Sequence, residues 1–282
     1  KIVIQVQGRY HLHQGILQPP PGTRRMPSKA PDSSPDTPTE REPQPMFIPR
    51  ITDELELLDG LVDLAQHPRV IELGCGAAQL SRKLLERFAA SEVTALEVDE
   101  RQHAKNLASP QARLNFVAAG AQAIPFEAGR FDLALMLKSL HHVTLDLLDV
   151  ALAEAHRVLR PDGLLYVSEP VFSGALNKVM RLFHDEEVVR AAALAALQRA
   201  VASGTWEQVN ETFFDVPVHY RDFAEFEQRM IGVTYLDHRL DDSTLAAVRA
   251  RFEPHMTADG AHFVRPMRVN LFRKRHFGSF SS

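Results

Sequence analysis

The 282-residue chain has one cysteine. A single thiol cannot close an internal disulfide, and alone it cannot hold a structural zinc. No uninterrupted apolar stretch approaches the roughly 18–20 residues that a membrane-crossing helix requires, so no membrane span is expected. No basic start runs into an apolar core and a small-residue cleavage site, so no secretory leader is expected. The simplest compartment is then a reducing cytoplasm. An excess of positive charge is missing as well: 32 Lys and Arg face 36 Asp and Glu, for a net charge of −4. Broad phosphate-binding surfaces are built from clustered cations, so no nucleic-acid partner is expected. What is abundant is ordinary globular material, 45% apolar and 24% charged, enough to form a core.

Proline is concentrated at one end. Ten of the eighteen prolines fall between residues 19 and 49, among Ser, Thr, Asp and Glu. Such a stretch buries too little apolar surface to offset its ordering entropy. Residues 1–45 therefore read as a flexible proline-rich tail, either a linker or sequence upstream of the true start, with Met26 and Met46 as alternative starts. A globular domain is expected over 46–275 and a disordered end over 276–282.

From Ile51 the pattern changes. Ile51, Leu55, Leu58 and Val62 recur at helical spacing. A short apolar run, Val70-Ile71-Glu72-Leu73, follows and is stopped by glycines. Helices are then expected near 79–89, 100–107 and 145–159, alternating with strands near 93–98, 114–118, 131–137 and 163–168. Such alternation means a parallel sheet with helices on both faces. An alanine-rich helical insert over 173–203 interrupts it. Strands are expected again at 213–220 and 262–272, with two helical segments between them. The expected fold is α/β, a doubly wound, mostly parallel seven-stranded sheet with a helical insert, closed by an antiparallel strand.

Ligands of open parallel sheets sit beyond the carboxyl ends of the strands. The first strand ends in Glu72-Leu73-Gly74-Cys75-Gly76-Ala77-Ala78-Gln79. Two glycines one residue apart permit a tight turn and close approach of a ligand to the backbone. Glu97 closes the second strand, where a carboxylate can accept both hydroxyls of a ribose. A dinucleotide site prefers a third glycine where Gln79 stands. Glu72 would also repel a pyrophosphate but attract an ammonium. A ribose ligand with an ammonium and no phosphate is S-adenosylmethionine.

These motifs, with Val93 to Asp99, Ala119 to Phe126, Phe131 to Val143 and Glu154 to Leu164, resemble those of class I S-adenosylmethionine-dependent methyltransferases. The similarity is nearest to the ubiquinone/menaquinone-methyltransferase-like group. The resemblance implies that Glu72, Gly74, Cys75, Gly76 and Gln79 surround the methionine part of the cofactor. It implies that Glu97 holds the ribose, that Val98, Ala121 and Gln122 border the adenine, and that the backbone at Leu137 faces the ammonium. The family often carries an aspartate where this chain has Gly120. The implied reaction moves a methyl group to a small-molecule acceptor. A non-catalytic cofactor-binding regulator and methylation of a macromolecule are the alternatives. A nicotinamide dehydrogenase is disfavoured by the missing third glycine.

His141 and His142 follow the fourth strand and are the candidate catalytic residues, since imidazole is the natural base near neutral pH; the competing reading is that they orient the turn and line the pocket. Cys75 has no evident basic partner to activate it and is expected to pack beside the cofactor. His184-Asp185-Glu186-Glu187 lacks a second histidine at ligand spacing, so no metal is expected and the segment reads as a solvated helix face. Trp206, Phe213, Phe214 and Tyr220 fit either a substrate pocket or an ordinary core. Arg265, Arg268, Arg273, Lys274 and Arg275 fit the faces of a last strand. The oligomeric state is open.

Overall fold

The computed structural model describes residues 48–232 and 240–275. The expected tail over 1–45 and the expected disordered end over 276–282 lie outside the described residues.

Each expected strand forms, and the sheet assembles around the apolar runs. β1 (Arg69–Leu73) pairs in parallel with β2 (Glu92–Leu96) on one side and β4 (Phe131–Leu137) on the other. β3 (Leu114–Val117) flanks β2, and β5 (Leu159–Pro170) flanks β4, all in parallel. β6 (Trp206–Tyr220) and β8 (Gly260–Lys274) complete the sheet, with a two-residue strand β7 (Met256–Thr257) against β8. The order is β3-β2-β1-β4-β5-β8-β6. β8 runs antiparallel to both neighbours. The antiparallel strand expected from the sequence is therefore present, but it lies between β5 and β6 rather than at the sheet edge.

β6 begins seven residues earlier than its apolar alternation predicts. As an edge strand it carries Glu207, Glu211 and Asp215, and a register shift between Gln208 and Asn210 breaks the period. Charged side chains of this kind keep a sheet edge from pairing with other chains.

Helices cover both faces. α1 (Glu54–Leu61) and α2 (Gln79–Arg87) pack with Leu133, Leu135, Tyr166, Phe214 and Met267 on one side. α4 (Leu148–Val158) and α6 (Glu187–Ala202) pack with Ile71, Ala134, Met136, Leu165 and Phe272 on the other. α3 (Glu100–Leu107) opens on Asp99, whose carboxylate accepts the Arg101 and Gln102 N–H groups, satisfying donors that the first turn leaves free. The helical insert is two helices, α5 (Gly174–Met180) and α6. α5, α7 (Phe223–Phe226) and α8 (Asp242–Phe252) enclose a separate aromatic core of Tyr220, Phe223, Phe226, Phe252 and Phe263.

At the amino end of the strands, buried Asp132 accepts hydrogen bonds from Arg69 and Arg160. Desolvation opposes its charge, but the Arg69 hydrogen bonds outweigh it and hold the carboxyl below its usual range. No helix among the described residues is long and apolar enough to cross a membrane.

Candidate functional site

Strand order reverses between β1 and β4, and the crevice at such a switch point is where open α/β sheets bind ligands. A cavity of about 410 Å³ opens there, lined by Glu72, Cys75, Gln79, Leu137, Lys138, Phe214 and Arg265 among others. Glu72 is buried and accepts a hydrogen bond from Ser81 on α2. Burial dominates its acidity and pushes the pKa up to about 7, against the pull of Ser81 and Lys138.

The turn after β1 is set by backbone conformation. Gly74 and Gly76 have φ of +76° and +52°, and a Cβ on Gly74 would fall 2.8 Å from that of Ser139. Space beside Gly76 is open. Gly76 N–H donates to Glu97 at 2.7 Å and Asp99 N–H at 2.9 Å, so the Glu97 carboxylate ties the glycine turn to the end of β2. Each oxygen keeps a lone pair for a further donor. α2 starts with no side-chain cap, leaving its first N–H groups available. Val98 is 65% exposed, an open apolar platform beside Glu97. At Gly120 the amide of Gln122 lies where a Cβ would sit, 2.4 Å away.

Cys75 is buried beside Ala78 and Ala95. Burial and then the charges of Glu72 and Glu97 push its thiol far up, so it stays protonated and unreactive.

The paired histidines form a closed cluster. His141 is buried; one ring nitrogen bonds Glu169 and the other lies 3.5 Å from Glu186. Glu169 also accepts the Leu140 N–H at 2.9 Å. Glu186 is held in turn by Arg190 and by His184 at 2.9 Å. Desolvation disfavours charge on His141, but the hydrogen bonds to Glu169 and Glu186 win and raise its pKa to about 9. Glu186 sits well below the usual carboxylate range; desolvation opposes this, and its bonds to His141 and His184 prevail. His142 stacks on His141 with ring centroids 4.1 Å apart. Desolvation first, then the His141 cation, pushes it down to about 4. The residue as a whole is exposed to solvent.

Both ring nitrogens of His141 face carboxylates. One expectation is corrected here. Glu186 is not on a solvated face; it is 8% exposed and belongs to the cluster. Ligating atoms of His141, His142 and Glu186 lie within 4.8 Å of one another, a spacing compatible with a metal ion if His141 released its proton.

Residues 71–167 match the family model described as a methyltransferase domain. A C-methyltransferase of ubiquinone and menaquinone biosynthesis, UbiE of Cereibacter sphaeroides, is 32% identical over 136 residues, 45% of this chain and 52% of that protein. A malonyl-[acyl-carrier protein] O-methyltransferase of Geobacter sulfurreducens is 34% identical over 34% of this chain and 36% of that protein. The chain spans about half the length of the first of these relatives, and less of the second. In fold, the YcgJ protein of Bacillus subtilis superposes with a TM-score of 0.58 at 16% identity, over 79% of this chain and 98% of that one. The architecture is thus the Rossmann-like α/β fold of methyltransferases.

The cavity brings together four of the site residues expected from sequence: Glu72, Cys75, Gln79 and Leu137. Gly74, Gly76, Glu97, Val98, Ala121, Gln122, His141 and His142 do not line it. Of the aromatics considered, only Phe214 does; Trp206 and Tyr220 are core residues and Phe213 is 40% exposed. Sequence reasoning missed Glu54, Lys138 and Glu169 and set Arg265 aside. Glu169 had a usable signal, a carboxylate at the carboxyl end of a buried strand. Arg265 and Lys138 had none, since only the folded sheet brings them to one hollow.

Proposed function

We propose that the protein binds S-adenosylmethionine over the ends of β1 and β2 and transfers its methyl group to a small-molecule acceptor, releasing S-adenosylhomocysteine. The observation that carries this reading is Glu72, a buried carboxylate facing the cavity beside a positive-φ glycine turn. The residues fit the cofactor's polar ends. Glu72 and the Leu137 backbone would take the ammonium, and Gly74, Cys75, Gly76 and Gln79 would border the methionine chain. Glu97 keeps lone pairs for two ribose hydroxyls, while Val98, Ala121 and Gln122 would border the adenine.

The cofactor supplies a methyl group already activated on a sulfonium. The protein's own work is to align the acceptor, exclude water and, where the acceptor needs it, receive a proton. Of the two histidines, His142 is the one with an unengaged, neutral ring; His141 holds it in place. The acceptor class is drawn as a small molecule because one relative's name describes C-methylation in ubiquinone and menaquinone biosynthesis and the chain has no excess of positive charge.

Calorimetry with S-adenosylhomocysteine tests the binding; no heat at millimolar ligand overturns it. Incubation with labelled donor and a metabolite extract tests the transfer. Binding without any labelled product would favour the non-catalytic regulator.

A further inference from the structure

Cations at the carboxyl end of the sheet are unequally served. Three line the cavity: Lys83, Lys138 and Arg265. Lys83 pairs with Asp53 at 3.3 Å and Lys138 with Glu54 at 3.7 Å. Arg265 makes no ion pair and no hydrogen bond among the described residues, although it is partly buried. The buried Tyr220 phenol is the acidic group it senses most, followed by the Glu186 carboxylate, which is already committed to Arg190, His184 and His141. Two further cations, Arg190 and Arg229, act on it from nearby. Burial therefore pulls the Arg265 pKa down, yet a guanidinium stays charged in any folded protein.

Its position is set by the sheet. The last β5–β8 pair is Pro170 with Met267, so Arg265 lies just past the carboxyl end of β5, opposite Val216 on β6. A desolvated charge without a partner is costly. Structural arginines in this domain avoid that cost, as Arg69 and Arg160 do on Asp132. A guanidinium at the wall of a ligand cavity matches the two oxygens of a carboxylate or phosphate.

We propose that Arg265 anchors an acceptor subsite and that the methyl acceptor carries an oxyanion, a carboxylate or phosphate, which pairs with its guanidinium. The assignment rests on the cavity being the methyl-transfer site. It names the substrate class that this site selects: an anionic small molecule held at the β5–β8 end, with its nucleophilic atom turned toward Glu72 and the donor.

The test is a binding screen on the full chain with saturating S-adenosylhomocysteine, read by saturation-transfer NMR and calorimetry. The probes are aromatic and aliphatic carboxylates and phosphate monoesters, each beside its neutral amide or alcohol. The expected result is that oxyanions bind about tenfold or more tightly than their neutral counterparts. Arg265→Met should abolish that preference, and Arg265→Lys should retain part of it. Carboxylates against phosphate esters identify which oxyanion the site prefers. Equal binding of charged and neutral probes, or an oxyanion preference that survives Arg265→Met, overturns the proposal. A second overturning result is a loss of S-adenosylhomocysteine affinity in Arg265→Met with methylthioadenosine binding unchanged, since Arg265 would then hold the donor's own carboxylate. If the wild-type chain binds no S-adenosylhomocysteine, the methyl-transfer reading fails by itself, while the oxyanion comparison is still read on the ligand-free chain. Melting curves of both variants establish that they fold.

Discussion

The turn after β1 and the far ends of β5 and β8 face the same edge of one sheet, yet they are built in opposite ways. The first is a local device. Gly74, Gly76 and Asp99 lie within one strand–helix–strand unit, and Glu97 fastens them by accepting two backbone N–H groups. The second is assembled from distant segments: His141 after β4, Glu169 on β5, Glu186 and Arg190 at the insert, Arg265 on β8. Local backbone shape organises the proposed donor end. Long-range charge pairing organises the proposed acceptor end. The two ends should therefore fail differently when perturbed.

The largest expected effect is at the acceptor end. Glu169→Ala leaves buried His141 with one carboxylate fewer and strips the acceptor from the Leu140 N–H. Removing one partner of a buried pair costs about 3–5 kcal/mol, measurable by denaturant unfolding. Glu169→Gln keeps an acceptor for Leu140 and should lose less. The pH profile checks the sign. His141 has a folded-state pKa raised from 6.5 to about 9, so its contribution is complete below about 6.5 and disappears as pH rises through 9. Glu169→Ala should flatten that decline. Equal stability of wild type and variant at pH 6 would dissolve the contrast between the two ends.

Glu97→Ala is the matching change at the donor end. It frees the Gly76 and Asp99 N–H groups in a part-buried turn where water can replace the carboxylate, so the stability loss should stay at about 1–2 kcal/mol. Affinity for S-adenosylhomocysteine should fall at least tenfold in calorimetry. A stability loss as large as that of Glu169→Ala, with unchanged affinity, would reverse the assignment.

Glu72→Gln should have a smaller, pH-dependent effect. In the free protein the group is half protonated near pH 7, since burial raises its pKa to about 7. A raised carboxylate pKa lowers stability as pH climbs from 4.5 to 7. An incoming ammonium would displace that proton, so donor affinity should increase with pH through 7 and a proton should be released below it. Both trends should vanish in Glu72→Gln, as seen by calorimetry in buffers of different ionisation heat.

Cys75→Ala should change least. Its thiol is pushed up by burial, so alkylation by iodoacetamide at pH 8 should be slow in the native protein and affinity nearly unchanged in the variant.

The donor end was legible because its signal is contiguous. Val70 to Gly76 and Val93 to Asp99 display strand, turn and acid in order, and the strands form where the apolar runs stand. β6 was read too short because an edge strand needs no apolar period on its outer side. The acceptor end was half legible. His141 and His142 stood out by residue type, but their roles were hidden. The engagement of both His141 nitrogens depends on Glu169 and Glu186, 28 and 45 residues away along the chain. Glu186 was read as solvent-facing because its neighbours Asp185 and Glu187 are charged; only the packing of α6 against the 140–142 turn turns it inward.

Sequence alone determined the alternating strands and helices, the glycine turn and the acid that closes β2, because each depends on neighbours a few residues apart. Tertiary structure decided which charges are paired. It gave Lys83 and Lys138 their acids, locked His141 between two carboxylates and left Arg265 facing an open cavity. Ion pairing is a property of distance through space, and the sheet alone sets those distances.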